Sequence, residues 1–203
     1  MQFPNGRILI FAKAPVPGKA KTRLIPALGA ARAAEFYAEL LESTIERLAT
    51  AELSTLQCCC TPDTDHPLFQ RLGQEYGMEL KTQVGLGLGE RMEFAATEAL
   101  NRADAVILVG ADCPLLEARH LASAFDWLQQ GEDAVLGPAE DGGYVLLGLR
   151  QVKRALFRDI PWGGDQVLAL TRQRLAQLGW RWRELEPLWD LDRPADLDRL
   201  GAV

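Results

Sequence analysis

The stretch "DAVILVGADCP", residues 104–114, limits the fold more than any other part of the chain. It is apolar from Ala105 through Val109 with no alternating polar residue, so as a strand it must be covered on both faces. Such strands lie in the middle of parallel sheets, whose neighbours are joined by helical crossovers. The chain supplies that alternation. "GRILIF" (6–11) and "STLQCCC" (54–60) are strands, and "MELKTQ" (78–83) is a short one. Between the first two, residues 30–50 place Ala33, Phe36, Tyr37, Leu40, Leu41, Ile45 and Leu48 at helical spacing. "DTDHPLFQRLGQEYG" predicts a capped helix with Pro67 near its start and Gly77 at its stop. Further helices are predicted over 90–101, 117–129 and 165–178, with "GLGLG" as a loop before the first of them. "DAVLGPAEDGGYVLLGL" predicts two strands around a glycine-rich bend, and "WRWRELEPLWDLD" a last strand. "RPADLDRL" closes the pattern as a short helix. The expected fold is a three-layer α/β/α domain with a mostly parallel central sheet. The 203 residues show no repeat, linker or low-complexity tract, so a single domain over 1–203 is expected.

Several chemistries are excluded by the residues present. Cys58, Cys59 and Cys60 are consecutive, and on a strand they point to alternate faces, so they cannot chelate one metal; Cys113 stands alone. His66 and His120 lack metal-ligand spacing and are expected at the surface. Ser43, Ser54 and Ser123 do not form a Gly-x-Ser-x-Gly elbow. "PGKAKT" departs from a P-loop at two positions, and "GLGLGE" lacks the spacing of a dinucleotide fingerprint. No apolar run reaches the roughly 18 residues of a membrane span. "MQFPNGRILIF" has no small-residue cleavage site, so a cytoplasmic protein is expected.

The net charge of −6 argues against nucleic acid as a partner, but the charge is unevenly spread. Residues 1–34 hold Arg7, Lys13, Lys19, Lys21, Arg23 and Arg32 and no acid, leaving −12 on the remainder. Four of these cations fall in "FAKAPVPGKAKTRL", directly after the first strand. In open α/β sheets ligands bind beyond the carboxyl ends of the strands. Three acidic stretches fall at such ends: "VGADCP" with Asp112, "GPAEDGGY" with Glu140 and Asp141, and "LWDLDRP" with Asp190 and Asp192. Oxygen ligands from one or two aspartates suit Mg²⁺ or Mn²⁺, which would bridge a diphosphate whose remaining charge meets Lys and Arg. The basic loop is then the cradle for the phosphates of a nucleotide.

These stretches, with "LGERM" and "WDLDRPADL", resemble over nearly the whole chain a bacterial family in the nucleotide-diphospho-sugar transferase superfamily. Its members are GT-A-type glycosyltransferases, some associated with arsenosugar biosynthesis, and the architecture is similar to that of guanylyl- and cytidylyltransferases. The resemblance implies that Asp112 binds the metal, with Asp190 or Asp192 closing the site. It implies that Lys13, Lys19, Lys21 and Arg23 line the phosphate loop. Gly142 and Gly143 would let the backbone approach the ligand, and Asp141 would position or deprotonate an acceptor hydroxyl. Asp141 and Asp112 are thus the candidate catalytic residues. Relatives often carry Asp where Gly87 stands and hydroxyl residues where Gly163 and Gly164 stand. A lone Asp112, in place of Asp-x-Asp, is closer to the nucleotidyltransferase pattern. Three functions stay open: sugar transfer from a nucleotide-diphosphate donor, nucleotidyl transfer with release of pyrophosphate, and non-catalytic nucleotide binding.

Overall fold

The computed structural model describes residues 1–200. Its seven strands are β1 (Gly6–Lys13), β2 (Thr55–Thr61), β3 (Glu79–Thr82), β4 (Ala105–Gly110), β5 (Ala134–Pro138), β6 (Tyr144–Leu149) and β7 (Trp182–Glu184). They form one sheet in the order β3-β2-β1-β4-β6-β5-β7. All pair in parallel except β6, which runs antiparallel to β4 and to β5. The continuously apolar β4 lies at the centre of this order, with Val106 and Ile107 fully buried on opposite faces.

Period-two alternation splits the core into two layers. Ile8, Ile10, Cys58, Cys60 and Ile107 share one layer with side chains from α2 (Ala30–Thr50), α3 (Pro67–Tyr76) and α5 (Ala118–Gln129). Leu9, Cys59, Val106, Leu108 and Leu147 pack in the other against α4 (Leu88–Leu100) and α6 (Val167–Gln177). The three consecutive cysteines therefore straddle the sheet as buried thiols. A one-turn α1 (Ile25–Leu28) precedes α2, and α7 (Pro194–Leu200) follows the last acidic stretch. No helix among the described residues is long and apolar enough to cross a membrane.

Two expectations are corrected. The last strand ends at Glu184 instead of running through Asp192. Pro187 has no N–H for the ladder, and pairing resumes only as an isolated bridge between Ala139 and Leu188. His120 is not a surface residue but is 2 % exposed. Its Nδ1 accepts from the Glu117 N–H (2.9 Å) as part of the cap of α5, and its Nε2 meets Glu186 Oε1 at 3.0 Å. A polar ring can be buried at that position because both nitrogens have partners.

Candidate functional site

Every chemistry-bearing loop named above emerges at the carboxyl edge of the sheet. β1 ends at Lys13, β2 at Thr61, β4 at Gly110 and β5 at Pro138, while the antiparallel β6 starts on that edge at Tyr144. The hairpin between β5 and β6 thus returns Asp141 to the edge where Asp112 leaves β4.

The acidic stretch of 185–192 is fastened across this edge by backbone bonds. Leu185 N donates to Leu136 O (2.9 Å), Leu188 N to Pro138 O (2.9 Å) and Leu191 N to Asp112 O (2.8 Å). The Cys113 thiol donates to Trp189 O (3.4 Å), and Arg47 from α2 donates to the Pro114 carbonyl. These ties fix Asp190 and Asp192 beside Asp112. Burial, with the charges of Asp141 and Asp112 next in weight, pushes Asp190 up to about 6. Four carboxylates therefore crowd one cleft, an arrangement that calls for a cation.

The chain supplies one itself. Lys21 has a left-handed backbone (φ 44°), uncommon for a residue with a Cβ, and this directs its side chain inward. Its Nζ lies 3.1 Å from Asp112 Oδ2 and 4.0 Å from Asp192 Oδ1, and it donates to Leu191 O. The Lys21 side chain is only 4 % exposed. Arg23 pairs with the other oxygen of Asp192, which raises the guanidinium pKa. So the four basic residues of the loop divide: Lys21 and Arg23 face carboxylates, whereas Lys13 and Lys19 are exposed and make no ion pair among the described residues.

The cleft has two adjoining lobes. A basic lobe of about 480 Å³ is lined by Lys13, Lys19, Lys21, Arg23, Gln83 and Arg91. An acidic lobe of about 350 Å³ is lined by Asp112, Asp141, Asp190 and Asp192, with Phe11, Met92, Tyr144 and Trp162 as an apolar wall. Phe11, Leu88, Arg23, Asp112 and Asp192 border both.

Sequence reasoning missed Arg91, Gln83 and the aromatic pair. Arg91 sits in the first turn of α4, donating to Gly85 O (3.0 Å) and Thr61 Oγ1 (3.4 Å), and it pairs with no acid among the described residues. The available signal is the cation of "LGERM" in the first turn of a helix at the sheet's carboxyl edge. Gln83 continues from β3 and donates to Cys59 O (2.7 Å). Tyr144 and Trp162 meet edge to face with ring centroids 6.3 Å apart, a contact between separate segments that no local pattern could join.

The glycines of "EDGGY" separate in role. Gly143 lines the acidic lobe, and its N–H donates to Asp141 Oδ1 (2.8 Å), so Asp141 also shapes its own turn. Gly142 faces away from the cleft. A Cβ there would stand 2.0 Å from Asp165 O, and its φ of +91° already favours glycine. Its missing side chain admits the backbone that leads into α6, with Leu168 N donating to Gly142 O (2.8 Å), and not a ligand. Glu140 is held by Arg199 of α7 at 2.9 and 3.2 Å, with the guanidinium 4.6 Å from the Trp189 ring.

Residues 44–164 match the family described as "Uncharacterized protein conserved in bacteria (DUF2064)". The chain belongs to this family. A crystal structure from Desulfovibrio desulfuricans G20, of a candidate nucleotide-diphospho-sugar transferase, is 34% identical with a TM-score of 0.87, covering 97% of this chain and 86% of that one. The family resemblance read from the motifs is thereby established, as is the nucleotide-diphospho-sugar transferase-like α/β fold. Two more distant structures share the fold. CMP:2-keto-3-deoxy-manno-octonic acid synthetase complexed with CTP is 12% identical (TM-score 0.61), covering 98% of this chain and 97% of that one. Glucosyl-3-phosphoglycerate synthase from Mycobacterium tuberculosis, in complex with Mn²⁺, UDP and glucosyl-3-phosphoglycerate, is 15% identical (TM-score 0.60), covering 98% and 75%. No curated protein matches the chain.

Proposed function

We propose that this protein is a transferase acting on a nucleotide-activated donor, and that it moves a sugar from a nucleotide-diphosphate sugar to a hydroxyl acceptor. The observation that carries the proposal is the polarity of the cleft. Lys13, Lys19 and Arg91, which make no ion pair among the described residues, line one lobe, and four aspartates line the other. A diphosphate in the basic lobe gains charge-assisted hydrogen bonds, while the transferring group lies toward the carboxylates. The likeness to the Desulfovibrio protein supports the same substrate class.

A divalent ion fits the donor set. Asp112 and Asp192 already converge on one cation, the Lys21 ammonium, and Asp190 beside them is raised first by its burial and then by the charges of Asp141 and Asp112. No group of three or more potential ligands stands at metal-binding spacing among the described residues. Mg²⁺ commonly takes one or two carboxylates and completes its shell with substrate phosphates and water. Asp112, with Asp190 or Asp192, would hold Mg²⁺ or Mn²⁺, which would supply charge neutralisation of the diphosphate.

In the transfer, the acceptor oxygen bonds to the anomeric carbon, and the bond from that carbon to the diphosphate oxygen breaks. The electron pair leaves with the nucleoside diphosphate. The acceptor proton goes to Asp141, whose Oδ1 is held by the Gly143 N–H. Lys13, Lys19 and Arg91 bind and orient the departing group. Nucleotidyl transfer is the second reading, favoured by the single Asp112 after β4 and by the fold shared with the CTP-bound synthetase. Incubating the protein with Mn²⁺ and separate panels of nucleotide-sugars and nucleoside triphosphates distinguishes the two. Slow hydrolysis of a nucleotide-sugar supports sugar transfer, whereas pyrophosphate release from a triphosphate overturns it in favour of the second reading.

A further inference from the structure

The acidic lobe holds more apolar surface than a phosphate or sugar needs. Phe11 from β1, Met92 from α4, and Tyr144 and Trp162 line it, and of these Met92, Tyr144 and Trp162 lie outside the basic lobe. Trp162 is fixed in place. Its indole packs so closely over Gly89 that a Cβ there would fall 2.4 Å from Trp162 Nε1, and its ring stands at 88° to Tyr144. Among the described residues the only basic side chain lining this lobe is Arg23, and it is engaged by Asp192.

Resting on the transferase reading, we propose that this lobe is the acceptor subsite, and that it takes a hydroxyl compound with an apolar or ring face and no negative charge. The ring face lies on the Trp162–Tyr144 wall, where an aromatic surface of fixed geometry offers stacking and burial. The hydroxyl is presented to Asp141. In the metal-free cleft an anionic acceptor, such as a phosphate monoester or carboxylate, meets four carboxylates whose cations among the described residues, Lys21 and Arg23, are already paired, and that repulsion weighs against it. A cationic acceptor is attracted by the same carboxylates. The charge pattern thus separates the donor's phosphates from the acceptor within one cleft.

The test uses three probes that share a ring and a hydroxymethyl group and differ in charge: benzene-para-dimethanol, para-(hydroxymethyl)benzylamine and para-(hydroxymethyl)benzoate. Their binding to the full chain, without nucleotide and in a metal chelator, is measured by saturation-transfer NMR at millimolar concentration. The neutral and cationic probes are expected to bind, and the benzoate at least roughly tenfold more weakly, ~1.4 kcal/mol. Trp162→Ala should weaken the neutral probe and Trp162→Phe should restore it, which separates a ring contact from a folding defect. Asp141→Asn should narrow the gap between the neutral and anionic probes. Equal or tighter binding of the benzoate, an unaffected Trp162→Ala variant, or failure of all three probes to bind overturns the proposal. Nucleoside diphosphate binding, measured separately with Mn²⁺ present, reports on the donor side of the cleft. Its loss with probe binding intact sinks the transferase reading, and the converse sinks only the acceptor assignment.

Discussion

Removing the Lys21 ammonium while keeping its stem tests whether one position serves both the resting protein and the metal. In Lys21→Met the side chain still fills its buried path, but Asp112 loses a partner at 3.1 Å and the fully buried Leu191 loses a donor to its carbonyl. Charge-assisted hydrogen bonds contribute roughly 1.5–3 kcal/mol each. Two effects reduce the net loss. The buried ammonium no longer has to be desolvated, and Asp112 is 42 % exposed, so water can replace its partner. We expect a loss of about 2 kcal/mol, which for a chain of this size lowers Tm by roughly 4–8 °C. The second readout is the decisive one. Without the ammonium, Mn²⁺ has no competing cation from Lys21 on Asp112 and Asp192, so it is expected to bind the variant more tightly. A ligand at a hundred times its Kd adds about 2.7 kcal/mol to stability, and tighter binding raises that further at a fixed concentration. Differential scanning calorimetry of both proteins, with and without Mn²⁺, should show a larger Mn²⁺-induced rise in the variant. Equal rises would mean that Lys21 and the ion do not share these carboxylates, and an undiminished Tm without metal would remove the ammonium from the balance of charge.

Two further outcomes follow from the hairpin. Asp141→Asn should lower turnover by about 10²–10⁴ if the carboxylate accepts the acceptor proton, with donor affinity little changed, as read by transfer assay and calorimetric titration of one protein. Gly142→Ala should cost at least about 2 kcal/mol in urea unfolding, because left-handed strain adds to a collision with the Asp165 backbone. Gly18→Ala shares a positive φ with nothing within 4 Å, so it should cost clearly less; equal losses would show that the Asp165 contact carries no weight.

Elements with a strong local pattern were legible in the sequence. The apolar run of β4, the helical spacing of 30–50 and the Pro67–Gly77 frame each name one conformation, because strand and helix periodicities differ and the breaker residues act on their own backbone. The end of β7 was less legible, since whether a strand continues past Pro187 depends on its neighbour's free N–H and C=O groups. His120 was misjudged for a similar reason. Its burial rests on Glu186, 66 positions away.

The sequence by itself determined the class of fold and the inventory of charged residues at the strand ends, because connection rules carry those loops to one edge whatever their detailed shape. Only the tertiary structure decided how the charges are shared. Spacing could not show that Lys21 turns inward to Asp112 while Lys13 and Lys19 remain exposed, or that Arg91 joins them. Nor could it show that Gly142 serves the entry of the chain into α6. Periodicity places a residue on a face or at an edge, but pairing is set by distances of a few ångströms between segments far apart in the chain.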